Sequence, residues 1–196
     1  MRAIMRHGHS ARINCLGGQF CRSPDAKAWQ SFPSPNVTWW KDNKLWDNTF
    51  KKVSGNVVNE MRLSQLGRSE LFATFHCKAQ NTKLSAPISR TIVLDLYLYP
   101  VSVKITSKNS ALSAGHPVEI GCESVGSRPS AKITWWLNGT HLSDHTETVH
   151  DNITSSTLRL LPKLQHHRSP LICRADNPKL FNSHLEDVRL LNVTCG

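Results

Sequence analysis

The chain has 196 residues, room for about two domains of ordinary size, and its 24 Lys and Arg outnumber its 14 Asp and Glu for a net charge of +10. No run of about 18 apolar residues occurs, which excludes a transmembrane helix within this chain. The basic residues are scattered and come with no nucleic-acid-binding motif, so no nucleic-acid partner is expected.

The six cysteines point to an oxidising compartment. The start, Met1-Arg2-Ala3-Ile4-Met5-Arg6, carries basic residues but no apolar core of a signal peptide behind them. Extracellular chemistry without an export signal is the pattern expected of a piece of a longer secreted or membrane-anchored protein. Residues 1–30 show no alternation; Cys15, Gly17-Gly18, Cys21 and Ser23-Pro24-Asp25 read as loops.

From Pro35 the pattern changes. Asn36-Val37-Thr38-Trp39-Trp40-Lys41 reads as a strand followed by a turn, and Asn56 to Leu63 as another strand. Two more follow, Phe72 to Asn81 around Cys77, and Ile88 to Leu96. The stretch Leu94 to Val103 holds no Gly or Ser run, so it reads as a last strand passing into a first strand, and a stiff junction is expected.

The second half repeats the first. Val118-Glu119-Ile120-Gly121-Cys122 alternates as a strand, and Ile133-Thr134-Trp135-Trp136-Leu137 follows with Ile133, Trp135 and Leu137 on one face. Trp39 to Cys77 and Trp135 to Cys173 both span 38 residues, and an offset of 96 brings Thr-Trp-Trp onto itself and Asn56 onto Asn152. The same offset aligns Cys77-Lys78-Ala79-Gln80-Asn81 with Cys173-Arg174-Ala175-Asp176-Asn177. Two strands bridged by a Cys122–Cys173 disulfide and packed on Trp135 are the framework of an immunoglobulin domain. A bridge closing such a loop contributes roughly 4 kcal/mol in the chain-entropy model. At the position two residues before the second cysteine, where many such domains carry a tyrosine, stand Phe75 and Leu171.

The offset carries Cys122 onto Ala26, not onto a cysteine. Either Cys21 pairs with Cys77 across a longer connection, or residues before about 31 lie outside the module; the failure of both alternation and spacing favours the second. The expected organisation is therefore an unassigned, foreign or disordered segment over residues 1–30, a partial immunoglobulin-like domain over 31–97, and a second over 98–194. The fold class is all-β: tandem immunoglobulin-like β-sandwiches, the first incomplete at its N-terminus. Cys195 falls past the second domain without an obvious partner.

Residues 31–193 resemble the extracellular immunoglobulin domains of the Sidestep family, insect cell-surface proteins that guide axons. The likeness rests on Pro33-Ser34-Pro35-Asn36-Val37-Thr38-Trp39-Trp40-Lys41-Asp42-Asn43 and on Leu112 to Cys122. Gly126-Ser127-Arg128-Pro129 and Cys173-Arg174-Ala175-Asp176-Asn177-Pro178 add to it. The resemblance implies a membrane-anchored receptor or ligand on the extracellular side of the plasma membrane, recognising Beaten path-like immunoglobulin-superfamily proteins. In that family the membrane-distal first domain makes the partner contact, so these modules are expected to be stalk domains that follow it.

Trp39 and Trp135 are expected in the cores, and alternation turns Trp40 and Trp136 outward. Lys78 and Arg174 face the same way on the neighbouring strand, so stacking of Lys78 on Trp40 and of Arg174 on Trp136 is expected. These four residues form the candidate interaction face, since Trp and Arg dominate binding hot spots. Four N-glycosylation triplets begin at Asn36, Asn138, Asn152 and Asn192. His141, His145, His150 and His166-His167 invite a metal reading, but they lack the short fixed pairs that zinc needs, so no metal and no cofactor are expected. No nucleophile elbow or phosphate loop occurs, and an enzyme is not expected. Recognition of another cell-surface protein is the expected function; binding of a sulfated glycan by a basic secreted module is the alternative.

Overall fold

The structure, a computed structural model, describes residues 2–6, 11–16 and 33–195. The chain divides into two compact units, Met1–Leu96 and Tyr97–Gly196. The first holds β1 (Arg2–Arg6), β2 (Ala11–Leu16), β3 (Asn36–Lys41), β4 (Lys44–Asp47), β5 (Phe50–Val53), β6 (Asn56–Leu63), β7 (Thr74–Gln80) and β8 (Ile88–Tyr97). They form a five-stranded sheet ordered β1-β8-β7-β3-β4 and a three-stranded sheet ordered β2-β6-β5.

The second unit holds β9 (Ser102–Ile105), β10 (Leu112–Ser113), β11 (Val118–Val125), β12 (Lys132–Leu137), β13 (Thr140–Leu142) and β14 (His145–His150). β15 (Ile153–Leu160), β16 (Pro170–Asp176), β17 (Leu185–Leu190) and β18 (Val193–Thr194) complete it. Its sheets run β14-β15-β11-β9 and β13-β12-β16-β17, with β10 and β18 paired in parallel. No helix among the described residues is long and apolar enough to cross a membrane.

Period-2 alternation explains why these segments are strands: β7 and β16 share one burial pattern, every second residue buried, and β6 and β15 differ only at their first residue. The buried positions meet at one indole per unit. Trp39 lies opposite Cys77 and Trp135 opposite Cys173, and both indoles are fully buried. Each finds a partner for its N–H: Trp39 Nε1 donates to the Asn59 carbonyl at 3.2 Å, and Trp135 Nε1 to Ser156 Oγ at 3.0 Å. Phe75 and Leu171 are fully buried at the positions where a corner tyrosine would stand.

Residues 2–6 and 11–16 differ from the sequence expectation. β2 pairs antiparallel with β6 from Ala11↔Leu63 to Leu16↔Val58, and Cys15, not Cys21, is bridged to Cys77. Cys21 lies outside the described residues. Cys15 faces Asn59 as Cys122 faces Ser156, so the two bridges occupy equivalent positions in the two sandwiches. The first strands of unit 1 are therefore supplied from residues that the spacing leaves out. The reason is the connection between β2 and β3, residues 17–35, which replaces the short 126–131 of unit 2. Loop-closure entropy grows only logarithmically, about 0.6 kcal/mol per doubling of length, so this insertion is cheap in energy while it destroys the spacing.

A smaller slip affects β6 and β15. Their matching alternation starts at Asn56 and Ile153, so Asn56 corresponds to Ile153 and not to Asn152, which lies in the preceding turn. The aligned pair Asn81 and Asn177 also differ. Asn81 is exposed, whereas Asn177 is buried and its Nδ2 donates to the carbonyls of Leu98 and Arg128, both at 2.8 Å. Its backbone N–H donates to Ser183 Oγ, and its Oδ1 accepts from the Lys179 N–H. One side chain thus ties the loop after β16 to the 126–131 turn.

Non-reducing peptide mapping is expected to return Cys15 with Cys77 and Cys122 with Cys173, and no Cys21–Cys77 peptide. Asn177→Ala, which removes two side-chain hydrogen bonds to carbonyls that keep their backbone partners and leaves the Lys179 N–H without its acceptor, is expected to lower the stability of unit 2 by about 1–2 kcal/mol in urea unfolding. Asn81→Ala is expected to stay within about 0.5 kcal/mol.

Candidate interaction surfaces

The outward face of the β13-β12-β16-β17 sheet is built from three cross-strand rows. Trp136, Ile172 and Val188 form one row, Thr134, Arg174 and Glu186 the next, and Pro170 and Leu190 lie beyond. Val188 and Leu190 are 54% and 60% exposed, so the face presents a strip of apolar side chains. Arg174 borders it: its guanidinium carbon lies 5.7 Å from the Trp136 ring centroid, and its Nε donates to Glu186 Oε1 at 2.6 Å. Trp136 is fixed on its other sides by a 3.3 Å hydrogen bond from Nε1 to Thr134 Oγ1 and an edge contact with His141 at 5.1 Å.

The apolar strip arises from an inversion in β17. Asp187 and Arg189 take the inward phase, opposite Cys173 and Leu171, and both bind the backbone of β9. Asp187 Oδ2 accepts from the Ile105 N–H at 2.7 Å, and Arg189 Nη2 donates to the Ile105 carbonyl at 3.2 Å. With two charged residues committed to the sandwich edge, Val188 and Leu190 turn to solvent. Alternation alone would place them the other way, which is why sequence reasoning did not single them out.

The equivalent face of unit 1 is polar. Lys78 Nζ sits 4.2 Å from the Trp40 ring centroid, and Trp40 Nε1 donates to Thr38 Oγ1 at 2.8 Å. His76 Nδ1 lies 3.0 Å from Thr91 Oγ1 beside them. Asn36 opens β3 in the same outward phase as Thr38 and Trp40. Asn138, in the turn after β12, Asn152, in the turn before β15, and Asn192, after β17, are exposed like Asn36. Cys195 is exposed and unbridged.

The histidines scatter. His141 stands on β13 against Trp136, His145 and His150 lie at opposite ends of β14, and His166 sits in a short 3-10 turn. Among the described residues no group of three or more His, Cys, Asp or Glu is placed to hold a metal ion.

Unit 1 carries a second surface that the sequence reading did not identify. Trp46 on β4 and Phe50 on β5 are 51% and 40% exposed, and they line a cleft of about 470 Å³ with Lys51, Glu60 and Arg62. Arg62 Nε donates to Glu60 Oε1 at 2.8 Å. That hydrogen bond, with the nearby charges of Arg62, Arg12 and Lys51 adding to it, holds the Glu60 carboxyl below the usual carboxylate range.

Residues 103–184 match the family model of the CD80-like C2-set immunoglobulin domain. Nephrin of Rattus norvegicus is 26% identical over 167 residues, covering 82% of this chain and 13% of its own length. The irregular chiasm C-roughest protein of Drosophila melanogaster is 31% identical over 116 residues, 54% of this chain and 15% of its own length. The chain therefore spans less than a sixth of these relatives. Among solved structures, Rst D1-D2 superposes with a TM-score of 0.61 at 21% identity, covering 98% of this chain and 95% of that one. The ectodomain of mouse nectin-like molecule 4 gives 0.61 at 18% identity, covering 98% and 66%. The fold is a tandem of immunoglobulin-like sandwiches, and the homologues are immunoglobulin-superfamily proteins of the cell-adhesion type.

A double-mutant cycle on Trp40 and Lys78, read by thermal or urea unfolding, is expected to give a coupling of about 0.5–1 kcal/mol for this partly exposed stack.

Proposed function

We propose that this chain is an extracellular recognition module that acts by protein–protein binding, part of a larger protein displayed on the outer side of the plasma membrane. The observation that carries this reading is the apolar strip of Trp136, Ile172, Val188 and Leu190 beside the Arg174–Glu186 pair. A solvent-facing sheet surface is ordinarily polar, and contiguous apolar exposure marks interaction sites. Trp136 within the strip and Arg174 at its border are of the residue types that carry binding energy when desolvated.

The partner proposed is another cell-surface immunoglobulin-superfamily protein. The homology to nephrin and to the irregular chiasm C-roughest protein supports this class. The narrower assignment, a Sidestep-like guidance protein with a Beaten path-like partner, rests on the Trp39-Trp40 and Trp135-Trp136 doublets and on Gly126-Ser127-Arg128-Pro129. In the parent these units would stand as stalk domains, with the unit 2 face contributing contacts along the stalk.

Capture of immunoglobulin-superfamily ectodomains by the multimerised chain tests this reading. Trp136→Ser is expected to lower binding at least about tenfold, as loss of a hot-spot residue does, while the melting temperature holds. Binding that survives Trp136→Ser and Val188→Asp would sink the assignment of this face.

A further inference from the structure

We propose that the cleft formed by β4, β5 and β6 of unit 1 is a binding site for a sulfated saccharide. This rests on a different surface from the protein-binding face and stands or falls without it.

The charge of the chain is concentrated in the unit that carries the cleft. Residues 1–96 contain 14 of the 24 Lys and Arg but 6 of the 14 Asp and Glu, a net charge of +8, which leaves +2 for residues 97–196. On the outward face of β2-β6-β5 the register sets Arg12 directly opposite Arg62, and Lys51 opposite Val58. Like charges facing each other across a ladder repel. An anion bridging the two guanidiniums would relieve that repulsion and take up donors they present. A guanidinium has five N–H donors, so Arg62 can keep its hydrogen bond to Glu60 and still engage a sulfate oxygen.

Three features select a sugar over a bare polyanion. Trp46 and Phe50 leave about half of their surface exposed at the cleft, apolar area against which the C–H face of a pyranose packs, while Lys41 Nζ and the Phe75 ring hold Trp46 in place. Glu60 and Asp47 place carboxylates in the cleft lining, where they can accept hydrogen bonds from sugar hydroxyls, donors that a phosphodiester backbone does not offer. The cleft, at about 470 Å³, falls within the size range of small-ligand sites, with room for one or two sugar rings. Aromatic platform, hydroxyl acceptors and the donors Lys51 and Arg62 come from three consecutive strands, β4, β5 and β6, and Arg12 on β2 stands across from Arg62 beside the cleft lining.

The test is binding of the full chain to immobilised heparin, with soluble heparin oligosaccharide, its desulfated counterpart and a single-stranded oligonucleotide as competitors. Affinity is expected to fall on the order of tenfold between about 0.1 and about 0.3 M salt, as for other polyanion complexes. Arg62→Ser and Arg12→Ser are each expected to weaken binding about five- to tenfold without changing the melting temperature, Trp46→Ala to weaken it similarly with some loss of stability because the ring also packs on Phe75, and Lys104→Ser in unit 2 to have no effect. Competition by the sulfated oligosaccharide alone supports the site. Equal competition by the oligonucleotide or by the desulfated sugar overturns the ligand class. Retention of binding in both Arg62→Ser and Trp46→Ala, or a loss in Lys104→Ser of the same size, overturns the location.

Discussion

Each unit depends on one indole held against one inter-sheet bridge. Trp39 and Trp135 sit beside Cys77 and Cys173 on the neighbouring strand, and the bridges carry the chain across to Cys15 and Cys122 in the opposite sheet. An aromatic side chain removes about 150–250 Å² from water, on the order of 4–6 kcal/mol at about 25 cal/mol per Å² before ordering entropy is subtracted. The indole N–H would cost part of that gain if left unpaired. It donates instead to Asn59 or Ser156, on the strand that pairs with the far cysteine strand. One residue thus fixes the spacing and the register of two sheets, and every outward-facing position follows from that register.

The same framework presents different chemistry in the two units. In unit 1 the outward face near the tryptophan is polar, with Lys78 over Trp40 and a glycosylation triplet at Asn36. In unit 2 the equivalent face is apolar, because Asp187 and Arg189 spend their charge on the β9 backbone and leave Val188 and Leu190 outside. Tandem repetition of a sandwich therefore does not repeat its surfaces. The core positions are constrained by packing, while outward ones are free to diverge at little cost in stability.

Much of the framework was legible in the sequence. The strands around Trp39, Cys77, Trp135 and Cys173 declare themselves through alternation, and the outward pairs Trp40–Lys78 and Trp136–Arg174 follow from the same arithmetic, with the partners found 4.2 Å and 5.7 Å from the rings. The partner of Cys77 was not legible. Cysteine spacing reports the length of the connection between strands, and the long segment after Leu16 hid a strand whose register with β6 is otherwise regular. Nor was the cleft of Trp46, Phe50, Lys51 and Arg62, since its members alternate with no period and meet only through the turns between three strands.

By itself the sequence determined the all-β class, the two-unit organisation and the two tryptophans at the centres, because side-chain period and a 38-residue Trp-to-Cys distance are local, one-dimensional quantities. Only the tertiary structure decided which cysteine closes unit 1, that β17 turns its apolar residues outward, and that aromatic and basic side chains converge beside β5. Each of these depends on what lies across a sheet or a loop. Cross-strand register and long-range hydrogen bonds to backbone settle such questions, and neither leaves a periodic trace along the chain.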